Sequence, residues 1–121
     1  MLNMVVVIGN LAKPLQVRNL PSGLTLACFD LQVQRPDQSI DTVPVALFDV
    51  GEQAAGWKAG DELLAVGRVR RRFFRVGGST QSRTELVAER VIPLANKQGV
   101  SIALAQAGQT LAGVLDQIGP D

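Results

Sequence analysis

At 121 residues, 46% hydrophobic and 19% charged, the chain is long enough for one domain with its own core, and its composition excludes intrinsic disorder. It has no histidine or tyrosine, a single cysteine (Cys28) and dispersed acids, so no catalytic residue, metal, cofactor or internal disulfide is expected, and the expectation is that the protein is no enzyme. The formal net charge is only +1, so any attraction for a polyanion has to come from where the charges lie.

Met4 to Ile8, MVVVI, is β-branched and apolar on both faces, which predicts a central strand closed by Gly9 and Asn10. Pro14 then breaks the run from Leu11 to Leu20, and Pro21-Ser22-Gly23 predicts a turn. Lys13 and Arg18 in this connection are either phosphate contacts or simply solvated cations. Leu24 to Gln34 alternates, with Ala27, Phe29, Leu31 and Val33 on one face and Cys28, Asp30, Gln32 and Gln34 on the other, a half-buried strand. Arg35 to Ser39 reads as a loop. Thr42 to Val50 predicts a third strand with Val43, Val45 and Leu47 inward and Thr42, Pro44, Ala46 and Phe48 outward. Pro44 donates nothing to a ladder, so an open edge or a bulge is expected there. Phe48 is either a stacking platform or a ring packed under a neighbouring loop. Gly51 to Gly60 suits one short helix, with Glu52 near its start and Gly60 as its stop, and Trp57 is assigned to packing.

Leu63 to Leu94 reads as two long strands joined by a loose turn at Gly77 to Thr80. Between Leu63 and Thr84 stand six arginines, Arg68, Arg70, Arg71, Arg72, Arg75 and Arg83, and no acid, half of the chain's cations in one hairpin. Strand periodicity puts Arg68, Arg70, Arg72 and Phe74 on one face, with Val69, Arg71, Phe73 and Arg75 on the other. With Leu63, Ala65 and Val69 turned to a core, the first set meets solvent. A guanidinium row beside an aromatic ring attracts phosphates and offers a face for base stacking. The competing reading is a charged edge that only discourages strand pairing, for which one or two arginines suffice.

The tally is five strands with a short helix between the third and fourth, the order of an OB-fold, an all-β five-stranded Greek-key barrel. It spans residues 1–95, followed at 96–121 by an extension. There Val100, Leu104, Ala107, Leu111, Val114 and Ile118 form the seam of an amphipathic helix weakened by Gly108 and Gly113. Its uncharged tract, Gln98 to Leu115, is interrupted by Ser101, Gln106, Gln109 and Thr110, so no membrane span is expected, and no secretory signal is read at the start.

The stretch NMVVVIGNLAKPLQVRNLPSGLTLACFDLQVQR resembles the bacterial single-stranded DNA-binding proteins: a hydrophobic strand into Gly-Asn-Leu, an Arg after a spacer, Pro-Ser-Gly, then an alternating strand carrying a Phe. VPVALFDVGEQAAGWKAGDELLAVGRVRRRFF and TELVAERVIPL continue the resemblance over about 90 residues. It implies binding of single-stranded DNA without strong sequence preference, in replication, recombination or repair. The implied contacts are Arg68, Arg70, Arg72, Phe74, Arg75, Arg83, Phe48, Arg18, Lys13 and Arg35. It also implies a homo-oligomer, a tetramer ahead of a dimer, contact with replication or repair proteins, and a cytoplasmic, nucleoid-associated place.

Three features depart from the family. Its stacking positions fall on Thr42, Phe48 and Phe74, and a further tryptophan is lost in the shortened Arg35 to Asp41 loop, so two rings of four remain. At ~1–3 kcal/mol per stacked base, that implies binding dominated by charge and steeply dependent on salt. The family's Gly/Pro/Gln-rich tail with an acidic, Phe-terminated tip has no counterpart in DQIGPD, and recruitment through such a tip is not carried over. In its place stands the helical segment, whose seam needs cover and whose expected role is a subunit contact. The alternative function is an OB-fold adaptor of primosomal type that contacts proteins and binds DNA weakly.

Overall fold

The computed structural model describes residues 1–119; Pro120 and Asp121 of the extension lie outside the described residues. The strands are β1 (Val5–Leu11), β2 (Gln16–Asn19), β3 (Thr25–Gln34), β4 (Ile40–Phe48), β5 (Glu62–Val76) and β6 (Ser79–Pro93). One C-terminal helix, α1 (Lys97–Ile118), follows. The hydrogen-bonded order is β1-β5-β6-β4-β3-β2, and β1 also pairs with β3 at Asn10↔Gln32 and Leu11↔Leu31, so the sheet closes into a ring. All pairings are antiparallel except β4 with β6, Val45↔Leu86 to Leu47↔Ala88.

There are thus six strands where five were expected. The sixth is β2, which the Pro14 break separates from β1 and which pairs with β3 from Gln16↔Cys28 to Asn19↔Thr25. The short helix shrinks to a 3-10 turn, Glu52–Gly56. Gly60 does not stop it; at φ +91° Gly60 makes a separate turn that donates its N–H to the Leu11 carbonyl. The loose turn of the long hairpin is a tight one. Only Gly77 and Gly78 lie between Val76 and Ser79, both at positive φ (56° and 84°), the backbone that a two-residue hairpin with strand-matched twist requires.

The core lies inside the ring. Leu11, Leu31, Leu63 and Val45 are buried with Ala27, Phe29, Ala65, Leu86 and Ala88, each large side chain contributing roughly 1.5–3 kcal/mol through burial. Trp57 packs against this cluster, as assigned. A second cluster sits on the outer face, where Leu64 and Val66 of β5 meet Ala103 of α1, flanked by Ile92, Leu94 and Val100.

Two further expectations give way. MVVVI is not buried on both faces: β1 pairs with β5 along Val5 to Asn10 but meets β3 only at its last two residues, and Val6 and Ile8 are exposed. The helix seam is only partly covered. Of its residues Ala107 is buried and Val100 and Val114 are half-buried, whereas Leu104, Leu111 and Ile118 are exposed, with Leu115 beside them, because the sheet meets the helix at Ala103 and Ala107, about 70° round from that stripe. Pro44 behaves as read: the ladder to β6 begins only at Val45, leaving β4 open beside it.

Two glycines are fixed by close approach. A Cβ on Gly9 would lie 2.8 Å from the Gln32 carbonyl oxygen, where the ring closes, and one on Gly67 only 2.0 Å from that of Val87. At Gly67 the β5–β6 register slips, Val66↔Arg90 being followed by Gly67↔Ala88, so that Glu89 is an extra residue on β6. Gly108, by contrast, has open space in mid-helix. Gly67→Ala is expected to lower stability by about 3 kcal/mol or more, and Gly108→Ala to raise it by about 1 kcal/mol, both read as shifts in the urea midpoint.

Candidate nucleic-acid interface

The alternation of β5 turns Leu63, Ala65 and Gly67 inward and Arg68, Arg70, Arg72 and Phe74 outward, as the period of two requires. Beside them on the outer face come Arg83 and Glu85 of β6, then Phe48 of β4, Cys28 and Asp30 of β3 and Arg18 of β2. A cleft of about 240 Å³ opens there, lined among others by Arg18, Leu26, Phe48, Arg70, Arg72 and Glu85. A neighbouring hollow of about 310 Å³ holds Lys13, Gln16, Asp30 and Arg83. Cys28 borders both. Five sequence-predicted cations and Phe48 are thereby gathered from four parts of the chain.

The remaining candidates sit apart from these hollows. Arg68 is exposed on the outer face without an ion pair among the described residues. Arg75 bends back to donate to the Gly78 carbonyl at 2.9 Å. Phe74 is half-buried, with the Arg72 guanidinium 5.5 Å from its ring centre. Arg35 belongs to the β3–β4 turn and pairs with Asp41 at 3.3 Å. In that turn Asp37 accepts from the Ser39 hydroxyl and N–H, which hold its carboxyl below the usual range.

The run of arginines is not free of acid. Glu85 stands directly across the hairpin from Arg70, and its side chain is 3% exposed. Its Oε1 accepts from Arg70 at 2.6 Å and faces Arg72 Nε at 3.3 Å. Arg83 in turn lies 3.5 Å from Asp30. The two hollows together carry five cations against two carboxylates, so they remain basic but are partly neutralised from within. The bridge fixes the guanidiniums in place: Arg70 sits 5.9 Å from the Phe48 ring centre, and its Nε is buried without a hydrogen-bond partner. A cation over a ring is worth roughly 0.5–2 kcal/mol, more as water is excluded.

Glu85 escaped the sequence reading: it lies two positions past Arg83, and only its place opposite Arg70 gives it its role. Phe73 lies on the face opposite Phe74 as the alternation requires, but that face, expected to turn to a core at Val69, is exposed: Val69 by 45% and Phe73 by 64%. Among the described residues no three Cys, Asp or Glu side chains converge. The chain matches no family model and no curated protein.

Glu85→Ala is expected to cost about 2–3 kcal/mol in urea unfolding. That is less than the full value for a buried pair, because the Arg70 and Arg72 side chains keep 35% and 44% of their exposure and water relieves part of the orphaned charge. An unchanged midpoint would mean that solvent already screens the bridge.

Proposed function

We propose that the protein binds single-stranded DNA without strong sequence preference, holding phosphates on the guanidiniums of the outer sheet face and stacking bases on Phe48 and Phe74. One observation carries this reading: Arg18, Phe48, Arg70 and Arg72, from three strands distant in sequence, line a single cleft. Guanidiniums pair with phosphates in a bidentate fork, and a Phe ring accepts any base because every base has a π-face. Each ring already lies under a guanidinium, so a base entering the cleft inserts beside or displaces a cation that is held within reach of the phosphate. With two rings and several cations, affinity rests mostly on charge.

The fold we assign to this function is the OB-fold. Taken as two halves of one strand broken at Pro14, β1 and β2 leave five strands, and the proposed site uses the faces of the second and third together with the last hairpin, the surfaces that such folds use for oligonucleotides. The role proposed with it is the one that the family resemblance implies: covering exposed strands in replication, recombination or repair, in the cytoplasm at the nucleoid. No helix among the described residues is long and apolar enough to cross a membrane.

A second reading is favoured by the stripe of Leu104, Leu111, Leu115 and Ile118, exposed together on α1. Covered by another copy it would make a homo-oligomer, a tetramer ahead of a dimer; covered by a replication or repair protein it would make an adaptor with marginal DNA binding. Leu111→Asp is expected to abolish that association in sedimentation velocity while leaving DNA affinity unchanged.

The deciding experiment is fluorescence anisotropy of labelled oligo-dT at low and moderate salt. Binding should be tight at low salt and fade steeply. Arg72→Glu should weaken it about tenfold and flatten the salt slope by ~0.7 for each phosphate that is no longer neutralised. Absence of binding even at low salt overturns the reading in favour of the adaptor.

A further inference from the structure

The far half of the β5–β6 hairpin stands clear of the ring, and from Arg71 to Thr84 every residue except Phe74 is exposed. Both faces of this ribbon therefore meet solvent, and the one opposite Phe74 is not bland. It carries Arg71, Phe73 and Arg75, paired across the ribbon with Thr84, Ser82 and Thr80. The Arg71 guanidinium lies 5.4 Å from the Phe73 ring centre and is pinned there by two donations to Ser82 Oγ, from Nε at 3.1 Å and from Nη2 at 3.0 Å. The ring itself is 64% exposed.

This repeats the Arg72–Phe74 pair of the outer face with one difference in charge. On the outer face Arg70, Arg72 and Arg83 all have carboxylate partners, whereas neither Arg71 nor Arg75 forms an ion pair among the described residues. Their cross-strand neighbours are hydroxyls, which donate to a phosphate oxygen without opposing its charge. A second copy of the chain is a poor occupant, since a two-fold contact through this face would set Arg71 and Arg75 against their own equivalents. A polyanion with flat, unpaired bases fits both the cations and the ring.

We propose that Arg71, Phe73 and Arg75 form a second site for single-stranded nucleic acid, occupied by the same strand after it rounds the hairpin from the outer face. The ribbon is only two strands wide, about 5 Å between them, so the turn requires few nucleotides. This inference rests on the DNA-binding reading above and adds to it a length dependence: short strands fill the outer face alone, long ones fill both.

The test is anisotropy with labelled oligo-dT of about 5 and about 16 nucleotides, near the two ends of the site sizes of single OB-folds. Phe73→Ala should leave the short strand's affinity unchanged and weaken the long strand about tenfold, the effect of one stacked base removed. Phe74→Ala should weaken both. Arg71→Ala should repeat the length dependence of Phe73→Ala and lower the salt slope for the long strand only. If Phe73→Ala and Arg71→Ala match the wild type at both lengths while Phe74→Ala weakens both, the second site is overturned and the outer-face reading stands. Equal weakening of both lengths by Phe73→Ala also overturns it, placing Phe73 in the first site. A changed sedimentation coefficient with unchanged affinity would make the face a subunit contact instead. Failure of the wild type to bind either strand removes both readings together.

Discussion

The extra residue on β6 decides which face of the long hairpin carries Glu85 and Arg83. Before Glu89, Leu86 and Ala88 point into the ring; after it, Val91 and Pro93 do, opposite Ala65 and Leu63. The inward set thus changes from even to odd numbers. Without that slip the residues in phase with Val91 would be Glu89, Val87 and Glu85, and two charged side chains would have to enter the core at a cost of several kcal/mol each. With it, Glu85 and Arg83 join Arg70 and Arg72 on the outer face, while Ile92 turns to the helix. Gly67 is the condition for the slip, because the Val87 carbonyl occupies the space that a side chain would need. The hydrophobic ring and the cationic cleft are two results of one backbone irregularity.

Within the cleft the buried Glu85 carboxylate reverses the simple reading of an arginine stripe. Guanidiniums on an exposed strand are flexible, and ordering them on a ligand costs side-chain entropy of up to about 2 kcal/mol each. A carboxylate that holds Arg70 over Phe48 and draws in Arg72 removes part of that cost before any ligand arrives, while lowering the field that attracts the ligand. The hairpin therefore divides its cations into two kinds: Arg70, Arg72 and Arg83, positioned and partly neutralised on the outer face, and Arg68, Arg71 and Arg75, without an ion pair among the described residues. For any polyanionic ligand, long-range attraction comes from the second kind and close geometry from the first.

The sequence made legible whatever repeats with a simple period. The alternation from Ala27 to Gln34 gave both faces of β3 correctly, and the same period placed Arg68, Arg70, Arg72 and Phe74 together on β5. What depends on a single residue, or on a partner distant in the chain, was not legible. Glu89 looks like any strand residue, so the slip was missed, and with it the place of Glu85. The sixth strand was hidden because Gln16 to Asn19 is exposed throughout and carries no burial pattern. MVVVI was read as central because its composition is apolar on both faces, but composition cannot tell which strand lacks a neighbour. In α1 the apolar arc was visible, yet only the position of Leu64 and Val66 shows that Ala103 and Ala107, the small residues, are the ones that meet the sheet. Small side chains let the helix approach closely; the larger Leu104 and Leu111 lie beside the contact.

That placement of α1 bears on the candidate interface. The outward residues of β5 run Leu64, Val66, Arg68, Arg70, Arg72, Phe74, and the first two are buried under the helix while the next is exposed. The outer face is thus shared between an apolar half sealed by α1 and a cationic half left open, with the border between Val66 and Arg68. Gln106 strengthens the border by accepting from Arg90, which turns one more cation towards the helix and away from the cleft. A strand lying along the outer face consequently cannot extend past Arg68 without lifting the helix, which buries Leu64 and Val66 almost completely. The direction left open leads along the hairpin towards Phe74 and the Gly77-Gly78 turn, where the ribbon is exposed on both faces. The helix, by closing one end, directs any bound chain to the other.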